Sequence, residues 1–178
     1  TRRPCFNFTG MLLPRLLDAY NLLAQPTAER SGDDAWVDQL ARTVFSGSRE
    51  EAAEAVASAL AEGFHPEAVG EAISVAANRL VLHDPGRAEE NSTPQKPPGC
   101  VHGDSVGVHA SDAANAWRNI ARFSNRRNKG ASLIVGAFHT AGQTGRTTID
   151  PYPYAEQLEN IRVTDSQSLL SQTEEAIR

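Results

Sequence analysis

Between Pro66 and the Asp84-Pro85-Gly86 turn, Val69, Ile73, Ala76 and Leu80 follow one another at spacings of 4, 3 and 4. That is the period of an α-helix with one apolar face, and a strand would scatter these side chains over both of its faces. Pro66 suits the first helical position, where its missing N–H is not needed, and Glu67 suits the positive end of the helix dipole. A stripe of this kind must be covered by other apolar faces, and the flanking sequence offers helices to do it.

Upstream, Ser48 and Glu51 make a capping box that opens an Ala-rich helix running to Gly63. Asp34 to Phe45 reads as a helix stopped at Gly47. Met11 to Leu23 reads as another, with Leu12, Leu16, Ala19 and Leu23 on one face and Pro26 as its stop. Downstream, a helix capped by Asp104 or Ser105 is expected to run to about Phe123. A basic turn over Ser124 to Gly130 and a buried helix over Ala131 to Ala141 follow. Tyr154 to Ile161 and an exposed, acidic stretch from Asp165 to Ile177 supply the final helices. Aromatic residues make up only 6% of the chain, which favours helices packed through small residues over a β-sandwich. The expected fold is all-α: one domain over residues 1–178, an irregular bundle of about seven helices.

The chain carries a net charge of −5, unevenly spread. Between Ala113 and Ile149 there is no Asp or Glu, while Arg118, Arg122, Arg126, Arg127, Lys129 and Arg146 give that segment +6. An acidic N-terminal layer (1–86) is thus followed by a Pro-rich loop (87–99) and a basic, histidine-containing layer (100–178). The basic segment could dock onto the acidic part of its own chain, a second copy or an acidic partner surface. Nucleic acid is a poor fit, because the basic turn has no interleaved aromatics.

No apolar run approaches the roughly 20 residues of a membrane span, so no membrane partner is expected and a cytoplasmic location is favoured. The chain begins at Thr1 rather than Met, which leaves a processed, fragment or trimmed end open. Cys5 and Cys100 could form one bridge or none.

The histidines carry the chemistry. His83 lies three residues beyond Leu80 and seven beyond Ala76, on the phase of that stripe. His109 precedes Ala113 by four and Ala116 by seven, on the phase of Ala113, Ala116, Trp117, Ile120 and Ala121. His139 follows Val135 by four in the most apolar segment. Three imidazoles from separate elements are therefore expected to point inward. Each could be bonded locally as a core histidine. Converging, His83, His109 and His139 would make a site for a divalent transition metal. His102 and His109 echo one another in a repeated Val-His, but Gly103 and Gly107 lie between them, so His102 is read as a loop residue by the helix start.

Asp112 is one helical turn from His109, Asp104 adjoins His102, and Asp84 adjoins His83; any of them could fix a histidine tautomer. Asn115 and Arg118 could orient an anionic or carbonyl substrate, although a solvated helix face is the better account of them.

Leu80-Val81-Leu82-His83-Asp84-Pro85-Gly86 is similar, over these residues alone, to the helix-ending His-Asp doublet of the HD family of metal-dependent phosphohydrolases. That resemblance implies metal ligation by His83 and Asp84, with Asp112 as a downstream Asp. His65 would be the upstream ligand, but its place before Pro66 suits a helix start, and Pro85 departs from the usual apolar residue. Gly103, Ser105 and Gly107 match a nucleophile elbow in spacing, without the strand that such an elbow needs.

Two functions fit. The preferred one is an enzyme with a histidine-lined internal site, oxidising or hydrolysing a small, anionic substrate: catalytic His109, His102 and Asp112, substrate-binding Asn115 and Arg118, and metal-binding His83, His109 and His139. The alternative is a non-catalytic helical assembly module whose basic segment meets an acidic partner.

Overall fold

Local capping fixes where the helices begin. The computed structural model describes residues 8–25, 29–100, 105–144 and 165–177, together with 150, 151, 155 and 159. Seven α-helices form among them, and no strand. A π-helical turn over Phe8–Leu12 leads into α1 (Leu13–Ala19). The helix expected over Met11 to Leu23 ends at Ala19, because Asn21 adopts a left-handed backbone (φ 50°) that no helix interior accommodates.

Asp33 caps α2 (Asp34–Ser46), its carboxylate accepting the Trp36 N–H at 2.8 Å. In α3 (Arg49–Ala61) the capping box is complete: the Ser48 hydroxyl accepts the Glu51 N–H at 3.2 Å, and the Glu51 carboxylate accepts the Ser48 N–H at 2.8 Å. His65 caps α4 (Pro66–Leu82), its Nδ1 accepting the Glu67 N–H at 3.2 Å. Ser105 caps α5 (Val106–Phe123). Asn125 caps α6 (Arg126–Ala141) by accepting the Asn128 N–H at 3.0 Å. The basic turn expected over Ser124 to Gly130 is therefore only Ser124 and Asn125, and its cations belong to the first turn of α6. An Asn three residues before the next polar N–H is enough to start a helix there. The last helix, α7 (Ser166–Ile177), is largely exposed. The helix expected over Tyr154 to Ile161 falls almost entirely outside the described residues.

Helices α4 and α6 form the centre. Helix α4 packs against α2, α5 and α6, and α6 also packs against α3 and α5. The predicted stripe of α4 is the core: Val69, Ile73, Ala76 and Leu80 are all buried. Alanines are nearly as numerous as larger side chains in this core, with Ala41, Ala52, Ala53, Ala57, Ala72, Ala76, Ala77, Ala110 and Ala137 fully buried. Small side chains let helix axes approach closely and gain dispersion along their whole length.

The loop between α4 and α5 is pinned at its neck. Arg87 N–H donates to the Cys100 carbonyl at 2.9 Å, and Gly99 N–H donates to the Arg87 carbonyl at 2.8 Å. Gly86 has φ 72°, and a Cβ there would collide with the Gly99 carbonyl. Asp84 ties the neck to α5: one carboxylate oxygen accepts from the Ser105 hydroxyl and from the Gly107 N–H (3.0 Å), the other from the Gly86 N–H (2.8 Å). This contact sets the end of α4 beside the start of α5. The two-residue link to α6 then brings the end of α6 back to the same place. No helix among the described residues is long and apolar enough to cross a membrane.

Candidate functional site

The buried face of α5 is not the one its sequence suggests. Gly107, Ala110, Ala114 and Ala121 face the core, with Trp117 and Arg118 half-buried beside them. His109, Ala116 and Ile120 are exposed. The two stripes differ in phase but are almost equally rich in alanine, so apolar periodicity does not separate them. Gly107 does: it lets α5 approach the backbone of α4 at Val81, and that contact turns His109 outward.

Turned outward, His109 meets His139. The first turns of α5 and the last of α6 enclose a cleft of about 480 Å³, lined by His109, Asp112, His139 and Gln143 on a floor that includes Val106 and Ala113. His139 is half-buried. Burial first, and then the positive charges of Arg49 and His109, hold its pKa below the ordinary 6.5 of an imidazole. The ring is therefore neutral at pH 7. Its Nε2 lies 3.4 Å from the Gln143 amide nitrogen, and its Nδ1 is buried with no hydrogen-bond partner among the described residues. With the Gln143 amide donating to Nε2, the neutral ring carries its proton on Nδ1.

His83 does not line this cleft. It closes α4 as a half-buried C-cap, and its ring tilts against Phe45 with centroids 5.3 Å apart. Its phase matches the buried stripe, but α4 ends at Leu82 and the backbone leaves the helical path there. Among the described residues no group of three or more His, Cys, Asp or Glu side chains is placed to hold a metal ion. His102 and Asp104 lie outside the described residues. His65 and His83 cap opposite ends of the 17-residue α4, roughly 25 Å apart at ~1.5 Å per residue, so they cannot share a metal as the HD-like reading requires. Asp84 is committed to the loop neck, and Ser105 to capping.

Asn115 and Arg118 lie away from the cleft. Asn115 accepts from Asn119 at 3.2 Å on an exposed face. Arg118 reaches across to α4 and grips Glu67 through Nε (2.7 Å) and Nη2 (2.6 Å), and Arg122 joins the same oxygen at 2.7 Å. Of the partners open to the basic segment, an acidic residue of its own chain takes two of its arginines, and among the described residues that residue is Glu67 alone. Arg126, Arg127 and Lys129 have no ion-pair partner among the described residues.

Burial works to raise the Glu67 pKa, but the Arg122 and Arg118 guanidiniums hold it below 4.5. Its stabilising effect is therefore complete above pH ~4.5 and is lost as pH falls through the lowered value. Glu67→Gln is expected to reduce stability by about 1 kcal/mol at pH 7, an effect kept small because the pair is partly solvated. The difference in urea midpoint between the variant and the parent should shrink as pH is lowered from 7 to 3. An unchanged difference between pH 7 and pH 3 would refute the ion-pair origin.

Sequence reasoning missed Gln143, Arg49 and the second role of Glu67. Glu67 lies 51 positions from Arg118, and nothing local links them. Gln143 had a local signal, one turn after His139. No protein-family model, curated protein or solved structure matches the chain.

Proposed function

We propose that this protein is an enzyme that transfers protons to and from a small polar substrate held between the start of α5 and the end of α6. One observation carries the reading: a half-buried imidazole held neutral by its surroundings faces a second imidazole and a carboxylate across an open cleft. The roles divide by environment. His139 is the base, because burial and neighbouring cations favour its neutral form. His109 is exposed, with Asp112 one turn along the helix, and serves as the acid once protonated. In the free protein the Gln143 amide donates to His139 Nε2; when a substrate carbonyl takes over that amide, the lone pair on Nε2, the only one on the neutral ring, is released to accept the substrate's proton. No step in this reading passes through a metal.

Hydrolysis of p-nitrophenyl acetate tests it, since a neutral, accessible imidazole attacks this ester. The rate should rise with pH through a midpoint below 6.5, and His139→Gln should lower it at least tenfold. His65→Gln, altered at the far end of α4, should leave it unchanged. Equal losses in both variants, or a midpoint at or above 6.5, would remove the basis for the assignment. A stoichiometric transition metal in the purified protein that is lost with His139→Gln would replace simple proton transfer by metal-bound chemistry.

A further inference from the structure

A second opening lies on the other side of Arg49, between the N-terminal turn, α3 and α6. It encloses about 520 Å³, within the size range of small-ligand sites. Its floor is apolar: Phe8 stacks on Phe138 with centroids 3.9 Å apart, and Leu12 and Met11 continue the surface. Met11 is 65% exposed, a large apolar side chain left in water at the edge of an apolar opening. Two arginines, Arg15 and Arg49, line the same opening.

Neither arginine has a carboxylate partner within ion-pair distance among the described residues; the neighbouring Glu50 bonds to neither. Arg49 is nonetheless held in place. Its Nη2 donates to the Gly142 carbonyl at the end of α6 (3.3 Å), and its guanidinium lies 5.5 Å from the Phe138 ring centroid. A Cβ on residue 142 would fall 2.5 Å from Arg49 Nε, so glycine there makes room for the guanidinium. Among the described residues one of its five N–H donors is used, and the others are available to an anion.

We propose that this groove binds a medium-chain carboxylate, its acyl chain on Phe8, Met11, Leu12 and Phe138 and its head group gripped by Arg49 and Arg15. The pairing of an apolar floor with two cations that lack an anion selects that chemistry over a neutral lipid or an amine. A planar guanidinium fork matches a carboxylate, and a flexible thioether at the mouth adapts to an alkyl chain. The Arg49 charge is felt by His139 as well, but the groove is read by binding at Met11 and the cleft by ester hydrolysis, so either assignment can fail without the other.

Met11 is the only methionine in the chain, so methyl-labelled protein gives one methionine signal, and it comes from this groove. Sodium decanoate, titrated below its micellar concentration, should shift that signal saturably. Calorimetry should give an affinity at least tenfold tighter than for decanol, with decylamine weaker still. Arg49→Gln and Arg15→Gln should each weaken decanoate at least fivefold, while Arg126→Gln, on another face, should not. Because both substituted residues are exposed, far-UV circular dichroism should be unchanged. Decanol binding as tightly as decanoate, affinity insensitive to both substitutions, or a Met11 signal that never saturates up to millimolar decanoate would each overturn the proposal.

Discussion

Changing Gly107 to alanine is expected to lower the unfolding free energy by about 3 kcal/mol, the upper end of what overpacking usually costs. The added Cβ would sit 2.6 Å from Val81 Cα, 2.8 Å from Val81 N and 3.0 Å from the Leu80 carbonyl carbon. All three atoms are main chain of α4, so no side chain can swing aside and the two helices must separate. The same substitution at Gly130 has the opposite expectation. There the nearest atoms are the methyl carbons of Leu60 and Leu17, at 3.9 and 4.0 Å, and the helix-propensity gain of up to about 1 kcal/mol is unopposed. Urea unfolding of both variants measures the contrast. If the two were equally stable, the close approach of α4 and α5 would be refuted. Because that approach turns His109 into the cleft, Gly107→Ala should also lower p-nitrophenyl acetate hydrolysis.

Truncating Leu133 to alanine should cost about 3 kcal/mol, within the range for a buried leucine whose surroundings cannot collapse. Leu133 is fully buried on α6. One of its methyls lies 3.5 Å from where a Cβ on Gly70 would be, beside the aliphatic stem of Arg118 at 3.0 Å from the same point. Three helices therefore meet at this side chain, and its loss opens a void among them. Leu170→Ala on α7, where the parent residue is 60% exposed, should stay within about 0.5 kcal/mol of the parent. A Leu133→Ala cost below about 1 kcal/mol would mean that the junction is not packed as described.

The three helices between Asp34 and Leu82 were legible because their signals are local. Ser48 and Glu51 are three residues apart, Pro66 sits one residue inside its helix, and the buried stripe of α4 contains no competing face. The start of α6 was misplaced because its cap, Asn125, lies within a run of cations that reads as a turn. The face of α5 was misread because alanines occur all round it, so more than one phase looks apolar. The site inherits that ambiguity. His109 was singled out for pointing inward, yet it belongs to the cleft because it points outward, and its half-buried partner His139 comes from the far end of the next helix.

Short-range signals along the chain settle where helices start, stop and bury a face when that face is unique, because caps, prolines and apolar period act over a few residues. Helix packing in three dimensions settles which side of α5 meets α4, that Glu67 holds Arg118, and that His109 and His139 share an opening. Those outcomes depend on how near two backbones can come at Gly107 and on charges dozens of residues apart. Such contacts form only once the helices are already packed.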